Sequence, residues 1–352
     1  MTHPLPSTMA AVLLTGHGGY DQLQYRDDVP VPSPGPGEVL IRIGAAGINN
    51  TDLATRTGWY AKAEGEDGPV ESGAWTGEAL RFPRIQGADV CGRIVGLGAG
   101  VDAARMGRRV LVQPCLTSLR QDGQDIWLGS ERDGGFAQYT TVPAADAFDI
   151  DSPLTDAELA ALPCAYGTAE NLLTRAGVAR GETVLITGAT GGVGAAAVQL
   201  CTRRGARALA VISRSKREAC DVLPAERLIL REDGLASQVA RDSVDVVIDL
   251  VGGPDWPHLI AALKPGGRYA VSGAIGGPMV QLDLRTLYLK DLTLLGCTAQ
   301  TAEVFRALIG HIERGEVRPL VAATFALQDL ARAQADFAAK RHIGKIVVIP
   351  PA

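Results

Sequence analysis

Apolar positions change rhythm along the chain near Thr183. Before it, short apolar runs are bounded by turn residues: "AAVLLTG" from Ala10, "VLIRIGAAGI" from Val39, "CGRIVGLG" from Cys91, "RRVLVQP" from Arg108 and "GFAQYTTVP" from Gly135. Their length and their Gly and Pro boundaries predict strands. Prolines at 30, 32, 34 and 36 in "VPVPSPGPGE" exclude a helix there. Residues 61–80, rich in glycine and acidic side chains, have no period and predict a long surface loop of a kind that is often functional.

After Thr183, apolar strands alternate with helices. The strands are "TVLITG", "ALAVIS", "RLIL", "VDVVIDLVG", "RYAVSG" and "LTLLGCT", with helices expected from Gly192, near Lys216 and before Pro265. In the first helix Val193, Ala196, Ala197, Leu200 and Cys201 share one face, which should pack on the sheet. Near-continuous apolar strands joined by helices indicate a parallel sheet covered on both sides, the α/β doubly wound (Rossmann) arrangement. The tail predicts an amphipathic helix through Val304, Phe305, Leu308, Ile309 and Ile312, and a last strand "GKIVVIP".

A chain of 352 residues has room for about two domains. Its 46% hydrophobic and 21% charged residues are those of a globular protein, and a net charge of −5 offers no footprint for nucleic acid. The six cysteines form no Cys-x-x-Cys pair, no signal-like segment follows "MTHPLPSTMA", and no apolar run is long enough to span a membrane. These features predict a cytoplasmic chain with reduced thiols, no nucleic-acid partner and no membrane partner.

The strongest motif is "TVLITGATGGVGAAAVQL". A strand ends at Gly188, Ala189, Thr190, Gly191, Gly192, Val193 and Gly194 form the turn, and a helix begins at once. Small residues let the backbone approach a pyrophosphate, and the helix start offers free N–H groups and a positive dipole end. At the end of the second strand an NAD site wants an acid for the ribose 2′-hydroxyl. Ser213 stands there, followed by Arg214 and Lys216, which predicts NADPH, its 2′-phosphate held by a hydroxyl and two cations. The alternative is that both cations are solvated charges at a helix start.

With "PGPGEVLIRIGAAGINNTD", "RTGWY", "IQGADVCGRIVGLGAGV", "DGGFAQY", "TGATGGVGAAAVQL", "LKPGGRYAVSG" and "GKIVV", the chain resembles the medium-chain dehydrogenase/reductase superfamily, and within it the zinc-independent quinone oxidoreductase-like branch. The resemblance implies a GroES-like, mostly-β catalytic domain (1–166 and 299–352), a Rossmann NADP-binding domain (167–298) and a homodimer formed through the strand near Leu292 to Cys297. The family's catalytic zinc is held by two Cys and one His. The matching places hold Asn49, Ala88 and Cys164, and no histidine occurs between His17 and His258. No metal is therefore expected, and Cys164 is expected to be a small buried group.

Without a Lewis acid for an alkoxide, the natural use of the nicotinamide is conjugate reduction, in which charge gathers on an enolate oxygen that needs donors and a proton. Tyr60 matches a site tyrosine of the resembled reductases, and Thr51 the family's relay hydroxyl. Asn49 is expected near the nicotinamide as an amide donor. Asp52 is either part of this cluster or the N-cap of the helix starting here. Asn50 replaces a pyrophosphate-binding cation, for which Lys345 is the substitute. Gly273, Ala274, Cys297 and Thr298 fall where relatives present backbone groups to the carboxamide. Trp59 and Trp75 either wall an apolar substrate cleft or anchor the loop. The leading expectation is NADPH-dependent reduction of a conjugated carbonyl or quinone. The rivals are a zinc-free carbonyl or alcohol oxidoreductase and a non-enzymatic, crystallin-like NADPH-binding protein.

Overall fold

The computed structural model describes residues 5–61, 79–121 and 124–352. Most of the predicted 61–80 loop, with Trp75, lies outside them. The chain divides into two compact units, one of residues 1–164, 321–340 and 345–352, the other of 165–320 and 341–344.

In the first unit Glu38–Gly47 is the central strand. It pairs antiparallel with Cys91–Leu97, with Tyr139–Pro143 and with the final strand Lys345–Ile349, which itself runs parallel to Val321–Ala326. Val39, Leu40 and Ile41 are all buried, so this strand is covered on both faces and reads as a continuous apolar run. Phe136, Ile94, Val110 and Val348 fill the core around it. Register between Lys345–Ile349 and Glu38–Gly47 sets Val347 opposite Gly47. That pairing brings the start of the last strand beside Ile48 and Asn49.

The second unit holds a six-stranded parallel sheet. Counted from Thr183–Ile186, the strands (then Arg207–Ile212, Arg227–Leu230, Val244–Asp249, Leu263–Val271 and Thr293–Gly296) lie in the order 3-2-1-4-5-6. Val184, Leu185, Ile186, Val246, Val247 and Ile248 are wholly buried, as expected of strands sandwiched between helices. In helix Gly192–Arg203 the face Ala196, Ala197, Leu200 and Cys201 is buried, while Val193 at its start is half-buried.

Two expectations change here. The helix near Lys216 is instead two 3₁₀ segments, Arg214–Lys216 and Glu218–Val222, of which only Cys220 is buried. With no apolar stripe to dock, nothing drives a full α-helix. The helix Ala302–Glu313 groups with the second unit, so the chain returns to the first unit near Val321 rather than at 299. Its Phe305, Leu308 and Ile312 are buried, and its His311 lies between Glu170 and Glu316. Glu170 in turn forms a two-pronged ion pair with Arg204, 2.9 Å on one side, which anchors the helix to its neighbours.

Candidate active site

The first unit's polar cluster forms where the central strand meets helix Asn50–Thr57. Asn49 is the N-cap of this helix and Asp52 its third residue. The Asp52 carboxylate reaches back to accept the Asn49 N–H at 2.7 Å. Asp52 thus serves the helix start as the reciprocal arm of a capping box, one turn inside the N-cap position.

Three buried side chains lock together beside it. Lys345 donates to Ile48 O at 2.7 Å, to Asp89 Oδ2 at 2.9 Å and to Asn49 Oδ1. An ammonium has three N–H donors, and all are used. Asp89 also accepts from Asn49 Nδ2 at 2.8 Å and from the Cys164 N–H at 2.6 Å. Asn49 Nδ2 makes a further long contact of 3.4 Å to Gly47 O. The three are close-packed, since a Cβ on Gly47 would stand 2.6 Å from Asp89 Oδ2.

This arrangement corrects two expectations. Asn49 has no amide donor left for an enolate, and Lys345 is a buried structural cation rather than a pyrophosphate ligand. Asn50, at the cation's expected place, accepts a hydrogen bond from Lys340 at 2.7 Å. The donor set also does not fit a catalytic zinc. An amide bound to an ammonium, an alanine and one thiol offer too few ligands, and among the described residues no group of three or more His, Cys, Asp or Glu side chains could hold a metal ion.

Tyr60 and Thr51, by contrast, come together. Thr51 hydrogen-bonds the Tyr60 phenol, and Cys164 and Asp52 are close enough to act on it electrostatically. Burial, then the charges of Cys164 and Asp52, push the phenol pKa well up, so Tyr60 keeps its proton at neutral pH. Burial likewise raises Asp52 to about 7, aided by Asp89 and opposed by Lys345 and the N–H groups of Asn49 and Gly87. Trp59 is exposed and meets the Tyr60 ring edge-on, centroids 5.4 Å apart. Cys164, expected to be buried, is half-exposed at the start of helix Pro163–Arg175.

In the second unit the turn after the first strand has the form a dinucleotide needs. Gly188 takes the left-handed backbone (φ +60°), which frees Ala189 to replace the motif's first glycine. Gly194 is obligatory, because a Cβ there would stand 2.2 Å from Gly188 O. Gly191 caps the helix without a side-chain hydrogen bond, leaving the N–H groups of Gly192, Val193 and Gly194 at its positive end. Lys216 Nζ lies 3.3 Å from Thr190 Oγ1 and 2.8 Å from His342 O. Lys216 thus reaches from the end of the second strand to the phosphate turn. Arg214 stays at the end of the second strand, paired with Asp233. Gly273 and Ala274 follow the fifth strand, and Cys297 and Thr298 the sixth. The N–H of Cys297 is spent on Val271 O at 2.9 Å, so it cannot serve a carboxamide.

Asp89, which resides in "IQGADV", carries a role that sequence reading does not assign, since it meets Lys345 and Asn49 only through the fold.

Comparisons with known proteins agree with this layout. Residues 35–152 match the model of the alcohol dehydrogenase GroES-like domain, and 224–348 that of zinc-binding dehydrogenases. The chain is 28% identical to acryloyl-coenzyme A reductase of Metallosphaera sedula over 97% of its own length and 99% of the relative's. It is 27% identical to quinone oxidoreductase of Lama guanicoe, covering 97% of each. A solved structure from Sinorhizobium meliloti 1021, assigned as an alcohol dehydrogenase, superposes with a TM-score of 0.92 at 46% identity, over 99% of this chain and 98% of that one. The chain belongs to the medium-chain dehydrogenase/reductase superfamily, a family of oxidoreductase enzymes.

Proposed function

We propose that this chain is an NADPH-dependent, metal-independent reductase of the C=C bond in an α,β-unsaturated carbonyl or a quinone. The observation that carries the reading is the Tyr60–Thr51 pair beside Cys164, set in a cluster whose cation is the ammonium of Lys345. The acryloyl-coenzyme A and quinone reductases it resembles support the same class of reaction. A bound nicotinamide would supply hydride to the β-carbon.

The residues of the chain do the rest. The turn Ala189–Gly194 and Lys216 hold the pyrophosphate of the cofactor. Tyr60 Oη, protonated at neutral pH, donates a hydrogen bond to the oxygen on which enolate charge collects, Thr51 Oγ1 holds the phenol in place, and the α-carbon takes its proton from solvent. Lys345, Asp89 and Asn49 fix the strand-to-helix corner that carries Thr51. The working form we infer is a homodimer.

The test is NADPH consumption with a panel of 2-enals, cyclic enones, quinones and saturated ketones, each with and without a chelator. Enones and quinones should be reduced, ketones spared and chelation tolerated. Tyr60→Phe should lower kcat/KM by about a hundredfold, the scale of one positioned proton donor. Ketone reduction alone, chelator-sensitive turnover or an undiminished Tyr60→Phe would each defeat the reading.

A further inference from the structure

The second unit supplies the acid that its second strand lacks. Ser213 stands where an NAD site places a carboxylate for the ribose 2′-hydroxyl. The third strand, Arg227–Leu230, runs parallel beside the second with Leu230 opposite Ile212, so the carboxyl ends of both strands lie side by side. The residues just after it turn back toward Arg214. Glu232 Oε2 accepts the Arg214 backbone N–H at 2.9 Å, and Asp233 pairs with the Arg214 guanidinium.

These carboxylates are held from behind. Ser237 donates to Asp233 O at 2.7 Å, and Gln238 bridges Leu230 through its N–H at 2.9 Å and its carbonyl at 2.6 Å. The Arg214 N–H keeps the Glu232 carboxyl below its ordinary range, so it is ionised at neutral pH. The Arg214 N–H and guanidinium, donors that a 2′-phosphate would use, are thus engaged by the chain's own anions.

We propose, resting on the dinucleotide reading above, that Glu232 and Asp233 set the choice between the two nicotinamide cofactors. Asp233 competes with the 2′-phosphate of NADPH for Arg214, and Glu232 accepts the 2′-hydroxyl of NADH in place of the absent second-strand acid. A phosphate carries close to two negative charges at pH 7, so its approach to Arg214 is opposed by Asp233 and repelled by Glu232. The carboxylates thus narrow the margin by which NADPH is preferred, without reversing it.

The experiment measures dissociation constants of NADPH and NADH for the full chain by fluorescence titration, at 50 and 300 mM salt, with melting temperatures as a control for folding. Asp233→Asn should bind NADPH about 3- to 10-fold more tightly and NADH within about twofold of wild type, a gain that shrinks at high salt. Glu232→Gln should tighten NADPH and weaken NADH several-fold. Arg214→Ala should weaken NADPH alone. If both carboxylate variants leave NADPH affinity unchanged while Arg214→Ala weakens it, the competition is refuted and the NADPH reading stands. If Arg214→Ala has no effect and wild type binds both cofactors equally, the NADPH reading fails as well.

Discussion

At the scale of single residues, Asp52 shows how one carboxyl can carry both a structural service and an electrostatic cost. It accepts the Asn49 N–H, which favours its ionised form, yet it is buried near Asp89 and its pKa rises to about 7. A folded-state pKa above the unfolded value near 4 means the native chain holds its proton longer. Stability attached to this group is complete below pH 4 and is lost as pH rises through 7, a cost on the order of a few kcal/mol. Asp52→Asn removes the ionisation while retaining an oxygen for the Asn49 N–H. Its melting temperature should therefore gain on wild type between pH 5 and pH 8. An equal difference at both values would show that Asp52 titrates normally. Tyr60 responds in the same direction, since the same burial keeps its proton in place.

At the scale of elements, the Glu170 network explains why helix Ala302–Glu313 joins the cofactor unit. Burial would raise the Glu170 pKa, but hydrogen bonds from His311 and Arg204, with the charge of Arg204, bring it down to about 2. A depressed carboxylate stabilises the fold above its unfolded pKa and loses that contribution as pH falls. Glu170→Gln leaves Arg204 without its buried partner and should cost about 3 kcal/mol at pH 7. Melting curves of variant and wild type should converge as pH drops from 4.5 toward 2; a constant gap would mean the pair contributes packing and not charge. The legible elements were those whose signal is local. The strand "RLIL" has the same bounds in sequence and structure, because three apolar residues between polar ones admit few registers. The turn at Gly188–Gly194 was readable because steric need leaves a mark in glycines. Lys345 and Asp89, 256 residues apart, left no such mark, and neither did Glu232 beside Arg214. The hairpin of Cys115–Gln121 with Gln124–Trp127 leaves no such mark either, since its strands CLTSLRQ and QDIW mix polar and apolar residues without strict alternation.

At the scale of the molecule, the two edges of the cofactor sheet are unlike, and the difference bears on assembly. The edge strand Arg227–Leu230 begins with an exposed arginine whose guanidinium bonds Gln238 O. The opposite edge, Thr293–Gly296, exposes Leu294, and the segment leading to it exposes Ile275, Met279, Leu284, Tyr288 and Leu289. Charge at one edge discourages pairing, whereas a run of exposed apolar side chains beside an open strand favours it. A two-fold axis across Thr293–Gly296 would set the same strand of two copies against each other, joining two six-stranded sheets and covering both patches. On this basis the chain should elute as a species of twice 36.8 kDa at micromolar concentration. Replacing Leu289 and Leu294 together by lysine places like charges face to face across the axis and should yield the single-chain mass with little change in melting of the isolated units. A wild-type chain that is monomeric at tens of micromolar, or a lysine variant that still pairs, would exclude this edge as the interface.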